Sequence, residues 1–425
     1  MQSRIKNTFI ILLFTMPLLL LLLTNPQDWF GIMLIPLTLL FIFNQGVFVR
    51  NFNTTVAILL VFFAKITISL INSNYITIYG AGADAKGFLR RASFIVQNKL
   101  EINLLTTGSD LFENYLAFIF NITGISQFSG EMLSILVFVI ATSYLLKIAE
   151  NLYGPSYNTH LVYLFGLLPS MLIYTSIIMR EPYQILFFLM SVYYFIEILN
   201  KQKVSLRLFL KFFISILVLG MLHNGLLALT FILLTIFLNQ ILKNNVKLPY
   251  LVIRIMVITL VLFMFIGLLN ILGISTEATE AMFNGDIGSY IEGYRDGSSI
   301  EDARARYGVE LNTNNVFTVM LTFPLVFFNY MLAPFPWQIS SLLDIYAVVE
   351  NIFRLALILL GVKFIKSTKS EAIPSINQVM ILFLLMEVLW SLGTVNWGTA
   401  IRHHLISYGL ILLLAIPRLI KLRKQ

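Results

Sequence analysis

The sequence contains no cysteine and few charged residues. Of its 425 residues, only 12% are charged and four are histidine. The lack of cysteine excludes disulfides and thiolate metal sites. Because only two of the histidines are neighbours in the chain, no metal centre and no other cofactor is predicted. A soluble domain of this size carries about a quarter charged residues, so the shortage of charge argues against a soluble protein.

Hydrophobic residues make up 58% of the chain, and the mean hydropathy is +0.85. They come in long blocks, such as 7–24 and 248–273. A helix of about twenty apolar residues crosses the hydrocarbon core. The first block follows two basic residues but lacks a small-residue cleavage site, which favours a retained helix over a signal peptide. The sequence therefore predicts an all-α, polytopic transmembrane helical bundle.

The apolar blocks predict about 12–13 membrane spans. Twelve are predicted at 8–24, 30–49, 55–72, 131–148, 160–179, 183–199, 208–222, 226–242, 249–272, 346–364, 377–393 and 403–419. If one further apolar stretch, 316–345, also crossed the membrane, the two basic segments near the C-terminus would lie on a side incompatible with the other basic loops. We therefore interpret this stretch as a re-entrant segment that returns to the outer face. Thirteen crossings is the alternative.

Basic residues predict the orientation of the bundle. The net charge is +8, and lysine and arginine cluster in short loops that the predicted spans place on one side, as at 200–211, 363–370 and 418–425. Such an excess marks the cytoplasmic side, so both termini are predicted to be cytoplasmic. This placement makes the charge a topology signal, and no nucleic-acid partner is predicted.

Two long segments interrupt the apolar pattern, and both fall on the predicted outer side. We call residues 73–130 the first polar segment and residues 274–315 the second polar segment. The first contains the short amphipathic stretch "DLFENYLAFIFNI", and the second is rich in glycine. No internal repeat separates the parts of the chain. Residues 1–425 are therefore predicted to form a single integral membrane domain.

On this topology, polar side chains from distant parts of the chain reach the outer ends of the helices. They are Asp84, Arg180, Glu181, His223, Asn224, Trp337, Asn396, Arg402, His403 and His404. A charge at the bilayer centre costs about 2.5–3.5 kcal/mol, so ionisable groups near membrane depth are candidates for function. Each also has a structural interpretation: arginine and tryptophan serve as interface anchors, and histidine often begins a polar helix turn.

This set of residue types suits the transfer of a sugar from a lipid phosphate. The planar guanidinium of arginine matches phosphate oxygens. A carboxylate or an imidazole can take the proton of a sugar hydroxyl. Because the polyprenyl tail of such a donor lies in the bilayer, its phosphate lies at the headgroup level. Arg180 and Arg402 are predicted at that level.

Three motifs carry a resemblance to a known family. They are the acidic residue Asp84 in "YGAGADAKGF", the stretch "LLPSMLIYTSIIMREP" at 167–182, and "NWGTAIRHH" at 396–404. Together they resemble the GT-C superfamily of membrane glycosyltransferases. With "LAPFPW" at 332–337, the last motif is also similar to Wzy-type polymerases of O-antigen and capsule repeat units. The sequence departs from the GT-C pattern in one respect, since Asp84 stands alone where a pair of acids is common.

The resemblance implies a GT-C-like glycosyltransferase of the bacterial inner membrane with its active site on the periplasmic face. Its substrates would be a polyprenyl-linked sugar donor and a glycan or lipid-linked acceptor. Asp84 would be the general base, with His403 or His404 as the alternative base. Arg180 and Arg402 would bind phosphate and Glu181 would orient Arg180, while the remaining substrate-binding residues would be His223, Trp337 and Asn396.

A transporter or flippase of lipid-linked sugars is the alternative function from another class. Two features within predicted spans favour it. Lys65 lies in the middle of a span, and Glu350 and Arg354 lie four residues apart on another. Ionisable residues at membrane depth often mark transport pathways. Transporters are usually built from internal repeats with polar groups near the midplane, and the sequence shows no such repeat.

Overall fold

The computed structural model describes residues 26–78, 82–199, 205–245, 251–271, 280–281, 284–297, 305–313, 315–367 and 373–423. In these ranges the chain is helical, with one isolated β-bridge between Arg306 and Asn396. The predicted span 8–24 lies outside the described residues. The helices are α1 (Trp29–Asn44), α2 (Gly46–Val49), α3 (Phe52–Asn74), α4 (Gly82–Gln97), α5 (Gly108–Thr123), α6 (Gln127–Tyr153), α7 (Asn158–Gly166), α8 (Pro169–Tyr174), α9 (Glu181–Leu199), α10 (Leu206–Leu222), α11 (Asn224–Asn245), α12 (Leu251–Ile271), α13 (Ile287–Gly297), α14 (Val316–Leu332), α15 (Leu342–Ser367), α16 (Ile373–Gly393) and α17 (Trp397–Arg423).

Seven described helices are long and apolar enough to cross a membrane. They are α1 with the short turn before it, α3, α6, α9, α15, α16 and α17. Shorter apolar stretches lie in α11, α12 and α14. These helices confirm a multi-pass helical membrane protein. Helices α4, α5 and α13, which lie wholly within the described parts of the two polar segments, do not meet the same criteria.

The described residues form two compact units, and the first contains those that fall within 1–104, 109–193 and 416–425. Helix α6 is its centre and packs against α1, α3 and α7. Gly31 of α1 allows a close approach, because its backbone N–H donates to Ser129 Oγ of α6 at 3.0 Å and a side chain there would collide with Phe128. Gly166 likewise lets α7 lie directly on Val61 of α3.

The predicted span 160–179 is not one helix. Helix α7 ends at Gly166, the short α8 begins at Pro169, and residues 175–180 are irregular. Proline excludes the residue before it from the helical region, and Leu168 accordingly has ψ of 126°. The break lies in a buried part of unit 1, since residues 174–179 are all buried.

Lys65 provides a polar partner at this break. Its ammonium group donates to the Met171 carbonyl at 3.0 Å and to Thr175 Oγ1 at 2.5 Å, and it lies 3.8 Å from the centre of the Phe138 ring. Non-helical backbone at membrane depth is tolerated where protein covers it. Lys65 thus holds the irregular segment that leads to Arg180, which gives this lysine within a span a structural partner.

The second unit contains residues 105–108 and 194–415. Helices α10 and α11 form a hairpin in which Thr230 donates to the Ile216 carbonyl at 2.8 Å. Helix α16 packs against α11, α14 and α15. The second polar segment folds onto the residues between α16 and α17, because Tyr307 N–H donates to the Val395 carbonyl and Trp397 N–H donates to the Ala305 carbonyl, both at 3.0 Å.

The chain reverses between α14 and α15, in the region predicted as re-entrant. Helix α14 is 17 residues long, and its last carbonyls accept hydrogen bonds from α15. Asn351 donates to the Ala333 carbonyl at 2.7 Å, and Arg354 donates to the Met331 carbonyl. A cation at a helix C-terminus also opposes the negative end of the helix dipole. Arg354 therefore caps α14 in addition to neighbouring Glu350 on its own helix.

Gly166→Ala should destabilise unit 1. The added methyl group would lie 2.5 Å from Val61 Cγ1, and overpacking of this kind costs about 1–3 kcal/mol. Gly267→Ala is the matched control, because nothing lies within 4 Å of its added methyl group and alanine is favoured over glycine within a helix by about 0.5–1 kcal/mol. Thermal unfolding in detergent should show a lower Tm for Gly166→Ala alone. Equal Tm values for the two variants would contradict the packing.

Candidate functional site

Arg180 lies against the first polar segment in unit 1. Its guanidinium carbon is 5.5 Å from the centre of the Phe88 ring on α4. Phe88 in turn meets Phe112 of α5 edge to face, with 5.0 Å between the ring centres. The carbonyl of Arg180 accepts the N–H groups of Tyr183 and Gln184 and so begins α9. The start of a spanning helix therefore fixes this arginine beside both helices of the first polar segment.

The carboxyl group of Glu113 is buried close to Arg91 and interacts electrostatically with Arg180. It is 6% exposed, and its Oε1 lies 3.4 Å from Arg91 Nη1. Burial raises the pKa of Glu113 above its ordinary value of 4.5, while the charges of Arg91 and, more weakly, Arg180 oppose the rise. A carboxyl with a raised pKa next to cations is suited to proton transfer.

Glu113 is not among the residues predicted from the sequence, although the sequence holds a signal for it. Glu113 lies on the apolar stripe of α5, between residues that are fully or nearly fully buried: Phe112, Leu116, Ala117 and Phe120. A charged residue on the apolar face of an amphipathic helix needs a partner or a function. Arg91 provides that partner from 22 residues earlier, a distance that no local pattern predicts.

Asp84 and Glu181 belong to the same unit. Asp84 is exposed in the first turn of α4. It precedes Phe88 by four residues, so both lie on the same face of the helix. Glu181 is buried in the first turn of α9, where a carboxylate is favoured by the helix dipole. Unit 1 thus presents carboxyl and guanidinium groups on and beside the first polar segment, and these groups can bind phosphate and accept a proton.

Unit 2 contains a cluster of histidine and aromatic rings. His403 stacks on Trp390 with 3.7 Å between the ring centres, and His223 meets the same indole edge to face at 4.6 Å. Thr394 Oγ1 lies 2.8 Å from His403 Nδ1, and the Tyr294 hydroxyl lies 3.3 Å from His223 Nε2. The structure therefore brings together two of the predicted residues, His223 and His403, and adds Trp390 and Tyr294.

His404 occupies a different place from its neighbour. It is 3% exposed, and its Nδ1 lies 2.6 Å from Glu387 Oε2 on α16. Its Nε2 lies 3.1 Å from the Tyr330 carbonyl of α14. The adjacent histidines thus point to two separate clusters, because consecutive helical residues are about 100° apart around the axis. Glu387 was missed because it lies in an apolar helix, 17 residues before its partner.

A charged cavity of about 250 Å³ lies in the second polar segment. Its charged lining residues are Glu292, Arg295, Asp296, Arg306 and Glu310, and the rest of the lining is Gly308, Val309, Leu311 and Val395. Arg295 links three parts of the fold, since it donates to the Leu392 carbonyl at 3.1 Å and to the Val309 carbonyl at 3.0 Å. Burial lowers the pKa of Arg295. These arginines were missed because the segment was interpreted only as a polar loop.

The remaining predicted site residues lie on the edges of unit 2. Asn396 caps α17, with its side-chain oxygen accepting the Thr399 N–H at 2.8 Å. Arg402 is half-buried on the same helix. Trp337 is 79% exposed and stacks on Phe335 with 5.0 Å between the ring centres. Such an exposed ring suits an aromatic anchor at a membrane interface.

Glu113→Gln should change how stability depends on pH. Because the pKa of Glu113 is raised on folding, the folded state holds its proton more tightly than the unfolded state. The resulting stabilisation is complete below the unfolded pKa and is lost as the pH rises through the folded pKa. The Tm of Glu113→Gln relative to wild type should therefore increase as the pH rises above 4.5. Glu101→Gln, at an exposed position, should follow wild type, and a pH-independent difference for Glu113→Gln would refute this assignment.

Comparison with protein-family models, curated proteins and solved structures found no match for this chain.

Proposed function

We propose that this protein is an integral membrane glycosyltransferase of cell-surface polysaccharide assembly. It takes a sugar or oligosaccharide from a polyprenyl-linked donor at the periplasmic face of the inner membrane. The observation that carries the proposal is the position of Arg180 at the start of α9, against the helices that hold Asp84, Arg91 and Glu113. This arrangement combines phosphate-binding and proton-accepting groups on one polar segment.

The reaction needs both kinds of group. The acceptor hydroxyl oxygen attacks the anomeric carbon, and its proton passes to a carboxylate. The bond between that carbon and the phosphate oxygen breaks, and the leaving phosphate keeps the electron pair. Arginine stabilises the charge that develops on this phosphate. Arg180 also lies at the N-terminus of α9, where the helix dipole attracts anions.

Asp84 is the proposed general base, because it is exposed and lies on the same face of α4 as Phe88. Phe88 is the ring that the guanidinium of Arg180 contacts. Glu113 and Arg91 form the buried pair behind it. His403, in the ring cluster of unit 2, is the alternative base. Transfer of one sugar and polymerisation of whole repeat units share this chemistry, so the two reactions are distinguished by their glycan products.

The second candidate is a transporter or flippase of lipid-linked sugars. The observation that favours it is the buried set of Glu387, His404 and Arg354 within spanning helices of unit 2. Carboxylate and histidine side chains inside membrane helices serve as proton relays in transporters. In this function the lipid-linked sugar would change sides with its glycosidic bond intact.

Arg180→Ala should abolish glycan synthesis in cells that express normal amounts of the protein. Loss of one donor to a developing anion lowers turnover about 10²–10³-fold, so the lipid-linked donor should accumulate. Arg90→Ala is the matched control, since Arg90 is exposed on α4, and it should leave the glycan unchanged. Lipid-linked glycans extracted from both strains provide the measurement.

The form of the accumulated lipid tests the reaction class. Single repeat units on lipid would indicate a polymerase, and an incomplete repeat would indicate a transferase of one sugar. Wild-type glycan in Arg180→Ala would refute the proposed site. In vesicles containing the purified protein, movement of a labelled donor across the bilayer without cleavage would identify a flippase and overturn the enzyme assignment.

A further inference from the structure

Glu387 and His404 form a buried, hydrogen-bonded pair inside unit 2. Both are almost fully buried, at 0% and 3% exposure. Glu387 Oε2 lies 2.6 Å from His404 Nδ1, and the other carboxylate oxygen accepts a hydrogen bond from Ser407. Helices α16 and α17 supply these groups. The pair lies one to two turns inside the ends of α16 and α17, within the apolar part of the unit.

The surroundings of the imidazole determine where its protons lie. A carbonyl oxygen can only accept a hydrogen bond, so the 3.1 Å contact with the Tyr330 carbonyl requires a proton on His404 Nε2. On the other side, Nδ1 faces a carboxylate oxygen at hydrogen-bond distance. If Nδ1 had no proton, two lone pairs would face each other. One proton must therefore lie between Nδ1 and Oε2.

The neighbouring groups favour the carboxylate as the partner without the proton. Ser407 already donates to Glu387. The charge of Arg354 on α15 stabilises the carboxylate and acts against the imidazolium, whereas the carboxylate and the Tyr330 carbonyl stabilise the imidazolium. The other titratable groups that act on this cluster are Tyr330 of α14, Tyr307 of the second polar segment and Glu350 of α15. The charges of Arg354 and Glu350 have opposite signs and therefore offset each other. The shared proton leaves the Glu387–His404 pair neutral, whereas its loss would leave an extra negative charge in an apolar interior.

We propose that Glu387 and His404 form a proton-binding site within the helix bundle, in which His404 is an imidazolium that donates to both Glu387 and the Tyr330 carbonyl. The ligand is a single proton, held between Nδ1 and Oε2. This assignment does not depend on the proposed glycosyl transfer. It gives His404 a role apart from that of His403, and it identifies Glu387 as the carboxylate that keeps the proton on His404.

The experiment is ¹⁵N NMR of the full-length protein labelled on its histidine rings and held in lipid nanodiscs. The chain has four histidines, and His404→Asn identifies the signals of His404 by their loss. Both ring nitrogens of His404 should be protonated from about pH 5 to pH 8, the range in which an ordinary histidine titrates. His403→Asn is the matched control and should leave these signals in place.

Glu387→Gln tests the partner. A glutamine amide can donate to Nδ1 but cannot balance an imidazolium, so His404 should become neutral, with a proton on Nε2 alone. If Glu387→Gln does not fold, the wild-type spectrum still decides the question. An unprotonated ring nitrogen on His404 in the wild-type protein at about pH 7, or an ordinary titration of its signals, would overturn the proposal.

Discussion

The hydrogen bonds from Lys65 to the broken helix are the interaction on which the arrangement of unit 1 depends. A membrane interior offers no water to unpaired backbone groups, yet the chain leaves the helical path between α8 and α9. The ammonium group of Lys65 reaches the Met171 carbonyl and Thr175 Oγ1, and so provides a polar partner at this break. The irregular stretch can then turn and place Arg180 at the start of α9.

The same constraint explains the polar groups of unit 2. Arg354 and Asn351 cap the end of α14, so the reversal between α14 and α15 leaves those terminal carbonyls satisfied. Glu387 and His404 satisfy each other across α16 and α17. In both units, ionisable side chains inside apolar helices bind a defined partner. These side chains therefore fix the positions of the helices, and they also supply charged and proton-binding groups inside the two units.

The sequence predicts the class of fold because length and composition carry that information. Apolar blocks predicted the seven described helices that are long and apolar enough to cross a membrane, among twelve proposed spans. The break at Pro169 was missed, because the apolar residues on either side of it read as one continuous span. Glu113 and Glu387 were missed for another reason. Their partners, Arg91 and His404, lie on other helices, and only the packing of those helices brings the charges together.

For the candidate site, too, some features could be predicted from the sequence and others could not. The sequence predicted Arg180 from its place at the end of an apolar block and Asp84 from its place in the first polar segment, and it predicted His223 and His403 as part of one set. The structure places Arg180 beside the helix of Asp84 in unit 1 and His223 beside His403 in unit 2. Properties that depend on burial, such as the raised pKa of Glu113 and the buried pair of Glu387 and His404, follow from tertiary structure and could not be predicted from residue type.

We propose that both polar segments face the periplasm, where a lipid-linked sugar would meet Arg180. The chain has no cysteine, so single cysteines can be introduced at the exposed positions Asp84, Asp296 and Lys366 without a background signal. In intact cells, a maleimide that does not cross the membrane should label positions 84 and 296 and should label position 366 only after permeabilisation. Labelling of 84 and 296 from opposite sides would contradict the account.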